Sequence, residues 1–440
     1  LYPAYEGDHT PGWQVDLGLW MYDRLTGRPE KHRQMEPEEV DALAPGLQIQ
    51  DLDRALTYTD AVADDARLTL AVAATAYSFG AGILTRVDVE AAQRDGRGQI
   101  TGLLVRDLES DLVLPVKARV VVNATGVWTD AVRTRLGLEG ERLRPSRGSH
   151  LVFPKENLPL NGAVTFPSPD DGRPVFAVPH PEGTLLGTTD LYHYGDLDDP
   201  RPSQSEVGYL LRAVQSAFPK AALDISDAVG AFAGLRPILD THAENPSEAS
   251  REEDIWEEQG MLSVAGGKLT TWRSTAEEAV DTIIDLLPEE RARPTVPCST
   301  AGTPLAGLAP ADLGDRLDTV DGLSPAVAQG MARRLGGLAW HAPLLARSRR
   351  ELQPFDTTSD LCPAEIRAHL RWGSILHLDD LLLRRVRGGL WNPAGARELL
   401  PALEPIVRRE MSWRRRRWTK EEASFVEGLA SWSIEGIQED

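Results

Sequence analysis

A proline-rich stretch at residues 287–304 divides this 440-residue chain into two parts with different hydrophobic patterns. Before it, short apolar runs bounded by Gly, Pro and Asp alternate with segments of helical spacing, which indicates strands mixed with helices. After it, residues 308–436 show helical spacing almost throughout. We therefore predict a mixed α/β body over residues 1–290, a linker over 291–304 and an all-α C-terminal domain over 305–440.

Composition excludes several classes of protein. The formal net charge of −20 argues against a nucleic-acid binder whose affinity depends on overall basicity. The two cysteines, Cys298 and Cys362, cannot form a disulfide scaffold or a multi-cysteine metal or iron–sulfur site, and we predict no metal site. Residues 68–85 carry no charge, but Gly80 and Gly82 interrupt them, so we predict a helix and a strand there and no transmembrane span.

Local patterns place the main elements of the body. Asp64 and Asp65 are typical of a helix N-terminus, and the apolar spacing predicts a helix to about Phe79, followed by a strand over 83–89 and β-hairpins turning at 94–98 and 109–111. Further helices are predicted over 204–218 and 270–287, and strands over 229–239 and 262–264. The first sixty residues give little periodic signal and are predicted to be rich in loops.

The first segment with chemical potential is the sequence Asn-Ala-Thr-Gly at 123–126. It follows a short apolar strand, and Trp128 and Asp130 stand at the start of the next helix. A glycine where a strand becomes a helix lets a ligand approach the backbone, and a helix N-terminus favours anions. The alternative is an ordinary strand–turn–helix connection without a ligand.

A second segment, residues 263–273, carries a stronger signal. A strand ends in Gly266 and Gly267, Lys268 follows, and Thr270 and Thr271 can cap a long helix. This pattern presents backbone N–H groups, a positive helix end and a mobile cation to one place, which suits a phosphate or an electron-rich ring carbonyl. The alternative is a tight turn with a lysine facing solvent.

Four further side chains are candidates for binding or catalysis. Arg236, held at a strand end by the following proline, and Arg251, fifteen residues later, could bind a phosphate or carboxylate, although surface ion pairs are the better explanation from the local sequence alone. His150 begins an apolar strand and could accept a proton from an alcohol, with a structural histidine as the alternative. Thr189 lies in Gly-Thr-Thr-Asp, which by itself is a turn with available hydroxyls.

The C-terminal domain contains a basic run at 414–417 flanked by Trp413 and Trp418. Cations beside tryptophans could favour an anionic membrane surface. We favour the simpler interpretation, a solvated helix face whose charge is balanced by Glu421 and Glu422.

Taken in order, the motifs resemble those of the FAD-dependent glycerol-3-phosphate dehydrogenases of the D-amino-acid-oxidase-like superfamily. The matching segments lie at residues 63–68, 121–130, 144–154, 185–190, 234–239, 263–273 and 380–387. The resemblance is strong up to about residue 290 and looser to about 430. It implies an FAD-dependent oxidoreductase fold with a Rossmann-like FAD domain, a mixed-sheet substrate domain and an all-α C-terminal domain.

The resemblance also implies an activity. It is the oxidation of sn-glycerol 3-phosphate to dihydroxyacetone phosphate, with hydride transfer to FAD and electrons passed to a quinone, or to oxygen in oxidase members. Bacterial members lie on the cytoplasmic face of the membrane as peripheral proteins, so we expect a cytoplasmic protein that is associated with the membrane. From the net charge we expect that it does not bind nucleic acid. The oligomeric state stays open, with a homodimer among the options.

The resemblance assigns roles to the candidate residues. Arg236 and Arg251 would clamp the substrate phosphate, with Arg236, His150 and Lys268 at the reacting centre and Thr189 beside the substrate. His150 is our candidate for accepting the proton of the C2 hydroxyl, and Lys268 is its rival. The residues expected to touch the cofactor lie around two turns and one strand: Val87, Asn123, Ala124, Thr125, Gly126, Trp128, Gly266, Gly267, Lys268, Leu269 and Thr270.

One departure from the family pattern bears on cofactor binding. Family members begin with a βαβ unit carrying GxGxxG for the FAD pyrophosphate, and that motif does not occur in this sequence. We therefore expect an incomplete Rossmann-like FAD domain, in a chain that is either truncated from a longer protein or a degenerate copy, and weak or absent FAD binding. Two alternatives remain: a non-catalytic fragment that serves as a binding module, and another flavin oxidase of the same superfamily that acts on an amine or amino acid.

Overall fold

The computed structural model describes residues 1–8, 10–27, 30–246, 252–287, 296–356 and 359–440. Strands and helices are mixed up to residue 286, and helices follow, as the sequence indicates. The strands are β1 Tyr2–Tyr5, β2 Arg33–Gln34, β3 Leu52–Thr57, β4 Val87–Arg94, β5 Ile100–Asp107, β6 Leu112–Lys117, β7 Val121–Asn123, β8 Ser146–Phe153, β9 Val164–Pro167, β10 Pro174–His180, β11 Gly183–Gly187, β12 Leu191–Tyr192, β13 Gly230–Arg236, β14 Glu253–Glu258 and β15 Met261–Gly266. The α-helices are α1 Gly12–Thr26, α2 Pro37–Leu43, α3 Asp65–Ser78, α4 Thr129–Arg135, α5 Gln204–Ala217, α6 Trp272–Leu286, α7 Leu313–Leu317, α8 Pro325–Leu335, α9 Pro363–Trp372, α10 Gly388–Trp391, α11 Pro393–Glu410 and α12 Arg415–Gly428.

The largest sheet is antiparallel, with strand order β12-β8-β11-β10-β9 and β13 also paired with β8. Because side chains alternate along a strand, its two faces have different compositions. One face carries Leu151, Phe153 and Ala231, which pack with α5 in the main apolar core. The other face carries the glycines and polar side chains described below. A capping box between Ser203 and Glu206 starts α5.

Three smaller sheets complete the body. Strands β4, β5 and β6 form a meander, and β1, β3 and β2 form a second antiparallel sheet. In the third sheet β7 and β15 run parallel, and β14 pairs antiparallel with β15. The carboxyl ends of β7 and β15 therefore meet at one edge, the edge at which ligands bind in parallel sheets.

The helical domain has its own apolar interior and also packs against the large sheet. Its two clusters of buried side chains are built mainly from α7–α9 and from α9–α12. Leu390 and Trp391 pack on Val152 and Phe232, which joins α10 to β8 and β13. None of the described helices is long and apolar enough to cross a membrane.

The structure corrects two of the local predictions. The strand predicted over 83–89 begins only at Val87. Its partner strand β5 ends at Asp107, which pairs with Val87, so the pairing does not extend to residues 83–86. Arg86 also has a φ of 57°, which is not an extended conformation. The first sixty residues are not mainly loop, because they contain α1, α2 and three strands. Helical spacing of Trp13, Leu17 and Trp20 was the available signal for α1, and all three side chains remain exposed.

The remaining local predictions hold with small changes at the ends. Asp64 caps α3 by accepting a hydrogen bond from the backbone N–H of Arg67, and the hairpins turn where expected. The helix predicted over 270–287 is α6, whose start is preceded by a 3₁₀ turn at Leu269–Thr271.

Candidate functional site

The candidate histidine lies on the polar face of the large sheet. His150 on β8 faces Gly187 on β11 and Phe232 on β13. Its imidazole stacks on the Phe232 ring, with ring centroids 5.1 Å apart and an interplanar angle of 16°. A Cβ at Gly187 would lie 2.8 Å from Nε2 of His150, so the glycine provides the room for the imidazole.

The surroundings of His150 keep its imidazole neutral. Burial and the nearby positive charge of Arg236 lower the pKa of His150 to about 4. The Nδ1 atom is buried and has no hydrogen-bond partner among the described residues. At neutral pH the imidazole is therefore uncharged, and one of its ring nitrogens keeps a lone pair that can accept a hydrogen bond.

Arg236 stands at the end of β13 on the same face. Its Nη1 lies 3.3 Å from Oδ1 of Asp190, and its Nη2 lies 3.3 Å from Oγ1 of Thr188. Asp190 also accepts a hydrogen bond of 2.9 Å from Oγ of Ser146. The guanidinium is thus positioned by neighbouring strands while it remains partly exposed.

Two facing glycines lie between His150 and Arg236. Gly148 on β8 is paired with Gly234 on β13. A Cβ at Gly148 would lie 2.5 Å from both Nη2 of Arg236 and Oγ1 of Thr188, whereas a Cβ at Gly234 would have no atom within 4 Å in the part of the chain that the structure describes. The guanidinium of Arg236 therefore lies over Gly148, and the backbone at Gly234 is open between this cation and the imidazole of His150.

The two threonines of the Gly-Thr-Thr-Asp segment make different contacts. Oγ1 of Thr189 donates to Oε1 of Glu206 at 2.6 Å and accepts the backbone N–H of Ser149 at 2.9 Å, so its hydroxyl is directed towards α5. The hydroxyl of Thr188 is the one near Arg236. The sequence predicted Thr189 as the residue beside the substrate. Because side chains alternate along a strand, the positions of the two threonines just after β11 were the signal that their hydroxyls point to different sides.

The turns after β7 and β15 lie at the shared carboxyl edge. Ser263 on β15 is paired with Asn123 on β7, so the segments that follow them start side by side. Gly126, Gly266 and Gly267 have φ of 60°, 82° and 83°, which favours glycine. No atom of the described residues lies within 4 Å of a Cβ built at Gly126, so among them this backbone is open to a ligand.

Asn123 is committed to holding its turn in shape. Its buried amide donates to the backbone carbonyl of Thr129 at 3.0 Å, and its Oδ1 accepts from Oγ1 of Thr125 at 2.6 Å. Ala124 follows it, and Trp128 donates through Nε1 to Asp198 at 2.8 Å. Any ligand at this turn would therefore meet backbone groups rather than the Asn123 amide.

Arg133 is a supporting residue that sequence reasoning missed. It is fully buried and its guanidinium contacts Asp130 at 2.8 Å and Glu258 at 3.0 Å. It also donates to the backbone carbonyls of Glu139 and Gly140. These bonds tie α4 to β14 and so fix the turn at 123–128 against the neighbouring sheet; no motif in the sequence marks this role.

The other predicted site residues are placed less tightly. Lys268, Leu269 and Thr270 are exposed at the turn after β15, and no hydrogen bond or ion pair joins Lys268 to His150. Val87 is the first, partly buried residue of β4. Arg251 lies outside the described residues, so its predicted partnership with Arg236 stays a prediction.

A cavity of about 750 Å³ adjoins the site on the side of the helical domain. The 3₁₀ turn Gly126–Trp128 contacts both β13 and β15 and forms part of its wall. Phe232 and Trp432 lie in another part of the wall, with ring centroids 5.6 Å apart. The Phe232 ring thus separates this cavity from His150.

The lowered pKa of His150 predicts a pH-dependent contribution to stability. Between pH 6.5 and pH 4 the unfolded chain binds a proton at His150 that the folded chain does not, so folding stability falls as pH falls through this window. This contribution to the free energy of unfolding is up to about 2 kcal/mol, with an allowance for the partial exposure of the His150 side chain. Urea titrations of wild type and His150→Asn at pH 7 and pH 4 measure it: the variant should lose less stability.

The matched control is His242→Asn, which replaces an exposed histidine. This variant should track the wild type at both pH values. Equal pH dependence in wild type and His150→Asn would contradict the lowered pKa.

Comparison with known proteins follows the two-part organisation of the chain. The family model described as FAD dependent oxidoreductase matches residues 1–273. The model described as the C-terminal domain of alpha-glycerophosphate oxidase matches residues 298–418. These matches extend over the large sheet, the two turns and most of the helical domain.

Individual relatives point in the same direction. The chain is 34% identical over 311 residues to the aerobic glycerol-3-phosphate dehydrogenase of Bacillus subtilis (strain 168), which covers 70% of this chain and 56% of that protein. It is 33% identical, with the same coverage, to the protein of that name from Staphylococcus aureus (strain USA300). The chain thus spans little more than half the length of the curated relatives it matches.

Among solved structures, the chain is similar to the glycerol-3-phosphate dehydrogenase from Bacillus halodurans complexed with FAD. The TM-score is 0.77 at 26% sequence identity, over 91% of this chain and 79% of that chain. The predicted fold class is confirmed by this likeness together with the mixed strands and helices described above.

Proposed function

Because the chain belongs to the FAD-dependent oxidoreductase family, as the motifs predicted, we propose that it oxidises sn-glycerol 3-phosphate to dihydroxyacetone phosphate. The observation that carries this proposal is the polar face of the large sheet. There the guanidinium of Arg236 and a neutral His150 lie on either side of the open backbone at Gly234. The relatives named above, which carry this activity in their names, support the choice of substrate.

The residues at the two turns fit FAD. Open backbone at Gly126 lets a cofactor approach closely, and the positive φ values of Gly266 and Gly267 orient backbone N–H groups at the same sheet edge. The buried Oγ of Ser263 has no partner among the described residues, and Ser263 stands three residues before Gly266 on β15. FAD, when bound, supplies a two-electron acceptor for the hydride from C2. Lys268, Leu269, Thr270 and Trp128 would border it, with Val87 towards its adenine end.

The guanidinium of Arg236 would bind the substrate phosphate. Two of its nitrogens are oriented by Asp190 and Thr188, so less side-chain freedom is lost when a phosphate binds. Arginine can hold two phosphate oxygens at once and thereby fixes the orientation of the substrate. Arg251 is the second proposed phosphate ligand, and Thr189 supports the face from behind through Glu206.

His150 would accept the proton of the C2 hydroxyl. Its low pKa keeps it in the neutral form that can take the proton, and stacking on Phe232 fixes the plane of its ring. Lys268 stays the rival for this role, since it is an exposed side chain at the turn that would border the cofactor. A His150→Asn variant that keeps substrate affinity but loses turnover would favour histidine, and the same result for Lys268→Met would favour lysine.

We propose a quinone as the electron acceptor and a peripheral position on the cytoplasmic face of the membrane. The support is the family resemblance. Anaerobic reoxidation of the substrate-reduced protein by a water-soluble quinone should be faster than reoxidation by oxygen in air-saturated buffer. Faster reoxidation by oxygen would identify an oxidase instead.

The proposed activity is tested by an ultraviolet–visible spectrum of the 440-residue chain incubated with FAD and freed of excess cofactor. Anaerobic glycerol 3-phosphate should bleach the bound flavin, whereas glycerol, which lacks the phosphate, should not. Bleaching by amino acids or amines alone would assign another flavin oxidase. If no flavin is retained, these 440 residues do not perform the reaction alone, and calorimetry with glycerol 3-phosphate then tests the binding-module alternative.

A glycine substitution tests the position of Arg236. In Gly148→Ala the new Cβ would displace the guanidinium, since it would otherwise lie 2.5 Å from Nη2. We expect affinity for glycerol 3-phosphate to fall about tenfold, the loss of roughly one charge-assisted hydrogen bond. Calorimetry measures the affinity. Thermal denaturation measures the cost of moving the Thr188 hydroxyl, which the new Cβ would also approach to 2.5 Å.

Gly234→Ala is the matched folding control, because it adds the same methyl group to the paired position where no atom lies within 4 Å. Unchanged affinity in Gly148→Ala would show that the guanidinium is not positioned as described.

A further inference from the structure

A second basic site lies in the helical domain, apart from the sheet face described above. A groove of about 650 Å³ at the start of α12 is bordered by Arg414, Arg416, Arg417 and Lys420. The remaining lining residues, other than Glu109, are neutral: Leu376, Met411, Ser412 and Trp413. In a chain with a net charge of −20, this is a local concentration of positive charge.

Most of this positive charge is not neutralised within the protein. Arg417 pairs with Glu421 at 2.9 Å and approaches Glu109 at 3.7 Å. Arg414, Arg416 and Lys420 are exposed, and none of them forms an ion pair or side-chain hydrogen bond with the described residues. The negative charge of Glu421, which was expected to balance the basic run, therefore compensates Arg417.

Other arginines of the same domain are paired with acids. Arg367 contacts Glu351 and Glu410, and Arg371 contacts Glu410 at 3.1 Å. Arg408 pairs with Glu404 at 3.0 Å one helical turn away. Arg350, Arg397 and Arg409, by contrast, form no ion pair with the described residues, so the cations beside α12 are distinguished by bordering one groove.

The position of these cations on α12 is electrostatically unfavourable without an anion. They lie at the N-terminal, positive end of a 14-residue helix that has no acidic residue in its first turn. Arg414 at the N-cap makes no side-chain capping bond, and Arg416 and Lys420 stand four residues apart, a spacing at which like charges repel. A bound anion would offset both the repulsion between these cations and their unfavourable interaction with the positive end of the helix.

The groove has a fixed wall on which such a ligand can rest. The guanidinium of Arg417 lies over the Trp413 ring, 5.5 Å from its centroid, and is held from behind by Glu421. Trp418 and Phe425 are buried in the domain interior and anchor α12. The hairpin turn that carries Glu109 closes one side, so the groove is formed by the body and the helical domain together.

We propose that this groove is a binding site for a phosphate-bearing anion with at least two negative charges, distinct from the site of the oxidised substrate. A single carboxylate would compensate only one cation, whereas a phosphate group offers several oxygens to neighbouring arginines and to the free N–H groups of the first helical turn. The phosphate can belong to a soluble metabolite or to a lipid headgroup, and the experiment separates these sources.

The test compares the full chain with the variant Arg414→Gln/Arg416→Gln/Lys420→Gln. Titration calorimetry with inorganic pyrophosphate, without FAD or glycerol 3-phosphate, measures the soluble source. Co-sedimentation with phosphatidylglycerol-containing and with pure phosphatidylcholine vesicles measures the lipid source. For the probe that represents the natural source of the phosphate, we expect the triple variant to bind at least tenfold more weakly than the wild type. The reason is that each cation near an anionic surface contributes about fivefold to the binding constant.

A matched variant controls for net charge. Arg97→Gln/Lys117→Gln/Lys220→Gln removes three exposed cations outside the groove, and it should bind as the wild type does. Circular dichroism shows whether each variant is folded. The melting temperature gives a second reading, since pyrophosphate should raise it in wild type and control but not in the groove variant.

The outcomes divide clearly. Groove-dependent binding of pyrophosphate supports a soluble phosphate ligand, and groove-dependent binding of anionic vesicles alone supports a lipid headgroup. Equal binding by the two triple variants, or no binding by the wild type to either probe, would overturn the proposal. None of these readings depends on flavin, so the proposed oxidation of glycerol 3-phosphate can fail while this site is confirmed, and the reverse.

Discussion

Arg334→Met is expected to destabilise the protein by about 3–5 kcal/mol, since it leaves a buried carboxylate without its counter-charge. Arg334 contacts Glu365 through Nε at 2.6 Å and through Nη2 at 2.9 Å, and it contacts Asp360 through Nη1 at 2.7 Å. Glu365 is fully buried, and these contacts lower its pKa to about 2 despite the opposing effect of burial. Chemical denaturation at pH 7 measures the loss.

The pH dependence of this variant has a definite sign. In wild type the stabilisation of the Glu365 carboxylate is present at neutral pH and is lost only as pH falls through about 2. In Arg334→Met, burial without a counter-charge raises the pKa of Glu365 above its unfolded value, so the variant regains stability as pH falls towards 4. The difference between variant and wild type should therefore shrink at pH 4.

Two controls isolate the buried charge. Arg334→Met/Glu365→Leu should recover much of the loss because the buried carboxylate is gone as well. Arg316→Met removes an exposed pair with Asp312 and should change stability by less than about 1 kcal/mol. A cost for Arg334→Met no larger than that of Arg316→Met would contradict the assigned role.

The sequence predicted elements best where local pattern and burial agree. For α5, a capping box at Ser203 and an apolar stripe that includes Leu210 and Val214 both indicate a helix, and the stripe packs on the large sheet. For α1 the same spacing is present, but its apolar side chains stay exposed. The spacing therefore does not coincide with burial, and it indicated this helix less clearly than it indicated α5. The start of β4 depends on where β5 ends, which is a tertiary fact.

For the candidate site, the sequence supplied the residues and the strand register supplied their relations. His150 and Arg236 are 86 residues apart, and the pairing of β8 with β13 places them on one face. The same register determines that Thr188, not Thr189, contacts Arg236. Arg133 could not be predicted, because its role depends on four acceptors contributed by α4, the loop after it and β14.

Arg236→Met is expected to weaken glycerol 3-phosphate binding on the order of a hundredfold, since removing a charged partner of a phosphate costs about 2–5 kcal/mol. The substitution keeps an unbranched, flexible side chain but removes the guanidinium group and its charge. Calorimetry with glycerol 3-phosphate measures the affinity independently of flavin. In protein that retains FAD, the rate of flavin bleaching at low concentrations of glycerol 3-phosphate should fall in parallel.

Two further variants make the result specific to this cation. Arg212→Met removes an arginine paired with Asp170 on the exposed side of α5 and should leave affinity unchanged. Arg236→Lys keeps the charge but loses the two-pronged geometry, so it should recover part of the affinity. Asp190 keeps its hydrogen bond from Ser146 in Arg236→Met, so we expect the fold to persist, which thermal denaturation checks. Wild-type affinity in folded Arg236→Met would place the substrate phosphate elsewhere and remove the main support for the proposed site.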